Sequence, residues 1–277
     1  MRAAVLGSPI AHSLSPVLHR AAYAALGLTD RSYDRFEVDE AALPGFLADL
    51  DVAGRDGGGA WSGLSLTMPL KRAVIPLLDQ VSDTALAVDA VNTVLFHPDG
   101  RRTGENTDVP GLLAALRERG VTRVESAAVL GAGATASSAL AALREVCAGP
   151  VAVYVRGPER AAQMRELGER LGVDLVTRPW ERAAEAFTTP LTVSTTTAGA
   201  NDHLAGAVPA APGALFDVLY HPWPTPLAAA WSQAGGTVLG GLDLLVHQAV
   251  LQCELFTGIA PAPLAAMRAA GEAALAG

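Results

Sequence analysis

Short apolar runs alternate with longer amphipathic stretches along the first third of the chain, a pattern typical of strands alternating with helices. Because a helix between two strands carries the chain back along the sheet, we expect mainly parallel pairing. Composition also predicts a flexible turn at residues 56–59 and a tight hairpin turn at residues 97–100. The predicted strands are residues 3–6, 32–38, 63–67 and 91–96, and the predicted helices are residues 16–26, 71–78 and 83–88.

The middle of the chain repeats this alternation in a more regular form. A helix at residues 110–119 is followed by strand, turn, helix and strand, which is a βαβ unit, and then by further helices and strands. This succession predicts most of a doubly wound, Rossmann-type domain. Two final helices, residues 242–256 and 263–275, are apolar on one face and are expected to return to the first domain. The βαβ unit and its successors are residues 126–130, 131–135, 136–146, 151–155, 159–171, 191–195, 215–218 and 226–233.

The pattern therefore predicts an α/β protein with two domains and a C-terminal pair of helices. Its 277 residues exceed the usual size of one domain. The expected ranges are residues 1–109 for the first domain, 110–241 for the Rossmann-type domain and 242–277 for helices packed on the first domain.

Composition and charge narrow the classes of function. Although 50% of the residues are hydrophobic, no apolar run approaches the roughly 20 residues that span a bilayer. The N-terminal apolar stretch is too short for a signal peptide, so we expect a cytoplasmic protein. A net charge of −8 argues against a nucleic-acid partner and favours a small-molecule ligand. Cys147 and Cys253 are expected to be reduced residues that pack in the interior. We expect no metal site, and we expect a monomer or a homodimer.

A glycine-rich turn joins the first strand and helix of the second domain. Residues 131–136 read Gly-Ala-Gly-Ala-Thr-Ala, which matches G-x-G-x-x-A. The first glycine permits a tight turn, the second lets a pyrophosphate approach the backbone, and the helix N-terminus faces the phosphates. A purely structural turn is the alternative, but the strand–turn–helix–strand context favours a dinucleotide site. The candidate cofactor contacts are Gly131, Ala132, Gly133, Ala134 and Thr135.

The end of the next strand indicates which dinucleotide is bound. A site for NAD normally places Asp or Glu there, whereas this chain has Arg156 directly after the predicted strand. A guanidinium suits the ribose 2′-phosphate of NADP through charge-assisted hydrogen bonds. Arg156 could instead be a solvated loop residue, and Arg160 is a weaker candidate for the same role. The sequence predicts NADP(H).

Polar motifs outside this unit each have an ordinary structural explanation as well as a functional one. Ser13 and Ser15 flank a predicted helix start, where hydroxyls cap a helix or bind an anion. Asn92 and Asp108 suit turns or caps, and Gln248 on an apolar helix suits a hydrogen-bonded core amide. The motifs are residues 13–19 (SLSPVLH), 65–71 (SLTMPLK), 91–93 (VNT), 105–108 (ENTD), 217–226 (DVLYHPWPTP) and 240–249 (GGLDLLVHQA).

Together with the glycine-rich turn, these motifs resemble the shikimate dehydrogenase family from Ser13 to Gln248, in the family's order. The resemblance implies reduction of 3-dehydroshikimate to shikimate with NADPH. It makes residues 1–109 a substrate-binding catalytic domain and residues 110–241 an NADP-binding domain, with the reaction in a cleft between them. It implies that Ser13 and Ser15 hold the substrate carboxylate and that Lys71 and Asp108 form the catalytic pair. The implied substrate contacts are Ser13, Ser15, Thr67, Asn92, Tyr220 and Gln248, and Gly241 joins the cofactor contacts.

Three elements depart from the family's pattern. In the glycine-rich signature, Ala134-Thr135 follows Gly133. Ser65 stands where the family commonly has asparagine, which removes one expected polar contact. The family's Asn-Arg-Thr after the second nucleotide strand is here Val155-Arg156-Gly157, which keeps the arginine and loses two polar neighbours. We therefore expect a preference for NADP over NAD that is weaker than usual in the family.

The implied reaction passes a hydride to the ketone carbon while an acid protonates the developing alkoxide. Lys71 is the only lysine among twenty basic residues. A lysine can stabilise an oxyanion and release a proton, whereas arginine suits only the first task. Which of Lys71 and Asp108 donates the proton stays open, since a close Lys–Asp pair titrates as a unit.

Two alternative functions remain. One is an NAD-dependent dehydrogenase for quinate or an aminated ring, against which stand the paired serines and the missing strand-end carboxylate. The other is a non-catalytic NADP-binding sensor, against which stand Lys71, Asp108 and Gln248.

Overall fold

The computed structural model describes residues 1–55 and 60–276 and divides the chain into two compact units. The first consists of Met1–Thr107 and Leu245–Gly277, and the second of Asp108–Leu244. Asp108 thus belongs to the second unit, whereas the sequence prediction places it in the first domain. The turn predicted at residues 56–59 lies outside the described residues.

The first unit begins with strands and helices in alternation. Each predicted strand is present within one or two residues of its expected ends. The helix at Leu43–Arg55 and the strands at Gln80–Val81 and Arg102–Glu105 were not predicted. The elements are β1 (Arg2–Gly7), α1 (Ser15–Ala25), β2 (Ser32–Glu37), α2 (Leu43–Arg55), β3 (Trp61–Leu66), α3 (Leu70–Ala73), a 3-10 helix (Ile75–Leu77), β4 (Gln80–Val81), α4 (Asp83–Val88), β5 (Thr93–Phe96) and β6 (Arg102–Glu105).

The sheet of the first unit is mixed, with more parallel than antiparallel pairs. In its described part the strand order is β2-β1-β3-β5-β6-β4. Strand β1 pairs in parallel with β2 and β3, but β5 is antiparallel to both β3 and β6. The predicted turn at residues 97–100 causes one reversal, because His97 donates its N–H to Arg101 and Gly100 adopts a φ of +88°. Three of the five described strand pairs are parallel, as the sequence predicts, and the two pairs made by β5 are antiparallel.

The helix predicted at residues 71–78 is also shorter than expected. It divides into α3 and a 3-10 helix, and Pro76 lies in the second piece. Proline has no N–H to donate and its ring crowds the preceding turn, so a continuous α-helix cannot run through this position. The short α3 leaves Lys71 in a single helical turn directly after the β3 loop.

The second unit is a parallel sheet with helical crossovers. Its described elements are α5 (Asp108–Glu118), β7 (Ala127–Leu130), α6 (Ala134–Val146), β8 (Val151–Val155), α7 (Pro158–Leu171), β9 (Leu175–Pro179), 3-10 helices at Trp180–Thr188 and Asp202–Ala207, β10 (Leu191–Ser194), β11 (Ala214–Asp217), α8 (Pro226–Gln233) and β12 (Thr237–Leu239). The strand order is β12-β11-β10-β7-β8-β9, and neighbouring strands of this described sheet pair in parallel. Numbered from β7, this is the Rossmann order 3-2-1-4-5-6 in reverse, so the predicted fold class is confirmed.

The last two helices return to the first unit, as the sequence predicts. Helix α9 spans Gly241–Thr257 and helix α10 spans Leu264–Ala276, and α10 packs on α1. Near the end of α9 the ring of Phe256 lies so close to Gly63 on β3 that a Cβ there would be 2.3 Å from it. A glycine at this point of β3 therefore allows the helix to pack closely on the sheet. No helix of the described chain is both long and apolar enough to cross a bilayer.

A buried carboxylate fixes the loop between β11 and α8. Asp217 is fully buried, and burial raises the pKa of its side chain. Thr225 donates its hydroxyl to Asp217 Oδ2 at 2.7 Å and accepts the N–H of Ala228 at 3.1 Å, so it also caps α8. Part of the motif at residues 217–226 thus has a structural role.

Replacing Thr225 with valine keeps the volume but removes both hydrogen bonds. We expect Thr225→Val to lower the free energy of unfolding by about 2 to 3 kcal/mol, because a buried carboxylate loses a donor and a helix loses its cap. Urea denaturation measures the change. Thr237→Val, at an exposed position on β12, is the matched control, and equal stability of the two variants would contradict the assigned role.

Candidate active site

In the first unit, the loops that follow β1 and β3 meet at one edge of the sheet. Thr67 donates its N–H to Leu6 at 2.9 Å, and Ser8 donates its N–H to Met68 at 3.0 Å. A Cβ on Gly7 would lie 2.4 Å from Thr67 Cγ2, so only glycine lets the two loops approach this closely. This contact brings the loop that carries Thr67 beside the start of the loop that carries Ser13 and Ser15.

The two serines are arranged differently from a plain helix cap. Leu14 occupies the N-cap position of α1, and Ser15 is its first residue, followed by a proline. The Ser13 hydroxyl accepts the N–H of Ser15 at 3.4 Å. Ser13 is half-buried, whereas Ser15 is buried and interacts with the Tyr33 side chain. Ser13 thus makes a local hydrogen bond at the start of α1 without being its N-cap residue.

The backbone around Asn92 ties three segments together. Val91 donates its N–H to the carbonyl of Lys71 at 2.8 Å, and Leu66 donates its N–H to the carbonyl of Asn92 at 2.8 Å. Asn92 in turn donates its N–H to Glu105 at 3.1 Å. Lys71 is therefore joined through its backbone to the residue next to Asn92, and its side chain is half-buried.

The side-chain amide of Asn92 faces two other predicted site segments. Its Oδ1 accepts the N–H of Thr107 at 2.8 Å and the hydroxyl of Thr93 at 2.9 Å. Its Nδ2 lies 2.9 Å from Thr107 Oγ1 and 3.4 Å from Gln248 Oε1. Because Thr107 lies 15 positions away in the chain, Asn92 is not a local turn residue. The structure thus brings Asn92, Thr107 and Gln248 into one buried cluster.

Asp108 follows this cluster directly in the chain. Asn106 donates its amide to Ala90 at 2.8 Å, which fixes the other side of Thr107 to the Asn92 loop. Asp108 is buried and is the first residue of α5, where a carboxylate also complements the helix dipole. Lys71 and Asp108 belong to different units, so their pairing stays a prediction.

In the second unit, the glycine-rich turn borders a pocket of about 440 Å³. Gly131 has a φ of +112°, and a Cβ there would lie 2.6 Å from Thr195 Oγ1. Gly133 is the N-cap of α6, so the N–H groups of the first helical turn are directed towards the pocket side of the turn. This geometry fits a dinucleotide pyrophosphate. The pocket is lined by Gly131, Ala132, Gly133, Tyr154, Val155, Arg156, Arg160, Trp180, Thr195, Thr196, Thr197 and Ala200, and Ala134 and Thr135 begin α6.

Arg156 is exposed at the end of β8, and its Cζ lies 5.0 Å from the centre of the Trp180 ring. A hydrogen bond of 3.4 Å from Arg156 to the carbonyl of Ala200 also holds the guanidinium. A second pocket of about 310 Å³ on the other side of Arg156 includes Arg178 from β9. Neither Trp180 nor Arg178 was predicted, because β9 is a polar strand that the hydrophobic pattern does not reveal.

Tyr220 and Gly241 lie in the second unit. Tyr220 follows β11, and burial raises the pKa of its hydroxyl. A Cβ on Gly241 would lie 2.2 Å from the carbonyl oxygen of Val218, so packing alone requires glycine at this position. The structure therefore gives Gly241 a structural role, and its contact with cofactor stays a prediction.

Comparison with known proteins identifies the family. A model of the shikimate dehydrogenase substrate binding domain matches residues 5–94, and a model of the shikimate 5'-dehydrogenase C-terminal domain matches residues 241–270. A Thermus thermophilus protein named shikimate dehydrogenase (NADP(+)) is 40% identical over 95% of this chain and 95% of its own. The chain belongs to the shikimate dehydrogenase family.

Among the solved structures similar to this chain, some contain NADP(H) and others contain NAD. The shikimate 5-dehydrogenase of Thermus thermophilus, in complex with NADP(H) and shikimate, has a TM-score of 0.83 at 38% identity and covers 99% of this chain and 100% of its own. The quinate dehydrogenase of Corynebacterium glutamicum, in complex with NAD, has a TM-score of 0.84 at 28% identity, with 99% of each chain covered. The fold alone therefore does not distinguish a shikimate dehydrogenase from a quinate dehydrogenase.

Some residues of this site were missed at the level of sequence. Besides Trp180 and Arg178, they include Thr107 and Gln252, which hydrogen-bond to Asn92, and Tyr33, which hydrogen-bonds to Ser65. Gln252 lies one helical turn after Gln248 on α9, a spacing that places two amides on the same face and could have signalled it. Among the described residues, no group of three or more His, Cys, Asp or Glu side chains is arranged to hold a metal ion.

Proposed function

We propose that this chain catalyses the reversible NADPH-dependent reduction of 3-dehydroshikimate to shikimate. The proposal rests mainly on one observation in a member of the shikimate dehydrogenase family: the side-chain amides of Asn92 and Gln248 contact each other in a buried cluster. The backbone of Lys71 is hydrogen-bonded to Val91, the residue next to Asn92. Amides can donate to and accept from the several hydroxyls of a small ring, which an apolar pocket cannot do.

The second unit supplies the residues that would hold the cofactor. Gly131 and Gly133 leave space for the pyrophosphate, and the N–H groups at the start of α6 face its charge. Arg156 at the end of β8 would bind the 2′-phosphate, and β8 ends in Val155 rather than in a carboxylate. These features favour NADP over NAD. When bound, NADPH supplies the hydride that reduces the ketone.

The remaining roles belong to this chain's own side chains. Ser13 and Ser15 donate hydroxyl hydrogen bonds to the substrate carboxylate, and Asn92 and Gln248 orient the ring hydroxyls. Lys71 stabilises the developing alkoxide and takes part in its protonation with Asp108. Thr67, Tyr220 and Gly241 complete the proposed set of substrate and cofactor contacts.

We also propose a cytoplasmic location and a monomeric or homodimeric assembly. Cys147 and Cys253 are both free thiols, and burial raises the pKa of Cys253 to about 11, so this thiol is unreactive. Free thiols are typical of a reducing compartment. Light scattering of the purified protein distinguishes the two assemblies.

A panel of two substrates and two cofactors tests the function. Shikimate and quinate are each oxidised with NADP⁺ and with NAD⁺, and absorbance at the nicotinamide band is followed. We expect the highest kcat/KM for shikimate with NADP⁺. A higher value for quinate with NAD⁺ would establish the alternative dehydrogenase, and binding of NADP without turnover of either acid would establish a sensor.

Arg156→Ala tests the choice of cofactor. Loss of a charge-assisted hydrogen bond to the 2′-phosphate costs on the order of 2 kcal/mol, so KM for NADP⁺ should rise about thirtyfold while KM for NAD⁺ changes little. Arg165→Ala, an exposed arginine on α7 that bonds Thr177, is the matched control. Equal increases of KM for both cofactors would refute the phosphate contact.

Lys71→Arg tests whether proton transfer or only positive charge is required. We expect kcat to fall at least about a hundredfold, the usual scale of general acid–base catalysis, with a much smaller change in KM for shikimate. Circular dichroism checks the fold. The control is Arg72→Lys, which exchanges arginine for lysine at the neighbouring position and keeps a positive charge for the exposed ion pair with Asp89. A Lys71→Arg enzyme with near-normal kcat would rule out the proton-transfer role.

A further inference from the structure

A chain of buried hydrogen bonds runs from β2 to the Asn92 amide through a residue that the proposed mechanism does not use. The Tyr33 hydroxyl lies 2.6 Å from Ser65 Oγ, which lies 2.7 Å from Gln252 Oε1. Gln252 Nε2 lies 2.9 Å from Thr93 Oγ1 and 3.1 Å from the carbonyl oxygen of Asn92. The Thr93 hydroxyl lies 2.9 Å from Asn92 Oδ1, and every member of the chain is buried.

The direction of each hydrogen bond is fixed by the Asn92 carbonyl. A carbonyl can only accept, so the Gln252 side chain must face it with Nε2 and face Ser65 with Oε1. Ser65 must then donate to Gln252 and accept from Tyr33, whose pKa burial raises, so that it keeps its proton. Thr93 accepts from Gln252 and therefore donates to Asn92 Oδ1.

This polarity determines which end of the Asn92 amide is presented to Gln248. Asn92 Oδ1 already accepts from Thr93 and from the N–H of Thr107. Its Nδ2 is consequently the donor end, which faces Thr107 Oγ1 at 2.9 Å and Gln248 Oε1 at 3.4 Å. A ligand hydroxyl would replace the longer of these two contacts. A flipped Asn92 would place its Nδ2 donor against the N–H of Thr107, which buried groups do not tolerate.

Gln252 also places a side-chain amide against the residue at position 65. Ser65 on β3 stands where the family resemblance expects asparagine, and its short side chain cannot supply an amide. Gln252 reaches the same strand from α9, one turn after Gln248, and donates to the Asn92 carbonyl that also accepts from Leu66 of β3. In this chain, the side-chain amide that contacts Ser65 on β3 therefore comes from Gln252 on α9.

We infer that Gln252 is a positioning residue for substrate binding: it holds Asn92 with its Nδ2 donor side towards the ring hydroxyls. The inference rests on the proposed function. It makes binding of the ring depend on α9 twice, directly through Gln248 and indirectly through Gln252. In this role Gln252 acts on the substrate through its hydrogen bonds to Thr93 and to the carbonyl of Asn92.

A double-mutant cycle with Gln252→Met and Asn92→Ala tests the inference. Methionine keeps the volume and removes the amide, so KM for shikimate should rise about tenfold while kcat falls less than about threefold and KM for NADP⁺ is unchanged. In the Asn92→Ala background, Gln252→Met should add no further loss, because its effect passes through Asn92. Additive losses in kcat/KM would show a merely structural role and overturn the inference.

Two further variants keep the test decisive. Cys253→Ala is the matched control, a buried change on the same helix that should leave KM for shikimate unchanged. If Gln252→Met does not fold, Thr93→Val breaks the same chain between Gln252 and Asn92 with a residue of equal shape, and its cycle with Asn92→Ala decides in the same way. If the wild-type protein does not turn over shikimate, the proposed function fails; a working wild type with additive cycles refutes only the positioning role.

Discussion

The side-chain amide of Asn92 joins three separate parts of the first unit through buried hydrogen bonds. Thr107 holds its oxygen from the segment before α5, Thr93 holds it from β5, and Gln248 faces its nitrogen from α9. Buried amides must satisfy both ends, so a single arrangement of these segments is compatible with all the partners. The geometry proposed for substrate binding depends on this one orientation.

In the second unit, we propose that backbone N–H groups rather than side chains hold the pyrophosphate of the cofactor. The positive φ of Gly131 and the glycine cap of α6 bring backbone N–H groups to the strand–helix turn. Arg156, Arg160 and Arg178 then surround the end of β8 in a protein of net negative charge. Because a net negative charge gives no long-range attraction for an anion, the proposed recognition of NADP would depend on these local donors.

Features that depend on neighbouring residues could be predicted from the sequence, whereas features that depend on distant residues could not. The glycine-rich turn was readable because its demands, a positive φ and a close approach, act within a few residues. Strand β9 was missed because Thr, Arg and Pro interrupt its apolar pattern, and the helix after Lys71 was overextended through Pro76. Gln252 was missed because its partner Ser65 lies 187 positions away, and only the fold brings the two together. The predicted domain ranges and the roles of the site residues stay predictions.

The most direct test of the proposed Asn92 geometry is calorimetric titration of shikimate into the cofactor-free Asn92→Asp protein. The variant keeps the shape of the side chain and the acceptor for the Thr107 N–H but has no Nδ2 to donate. We expect shikimate affinity to fall at least about tenfold, the loss of one buried hydrogen bond to a ligand, while NADP⁺ affinity and the circular dichroism spectrum are unchanged. Unchanged shikimate affinity in a folded Asn92→Asp protein would contradict the proposed geometry.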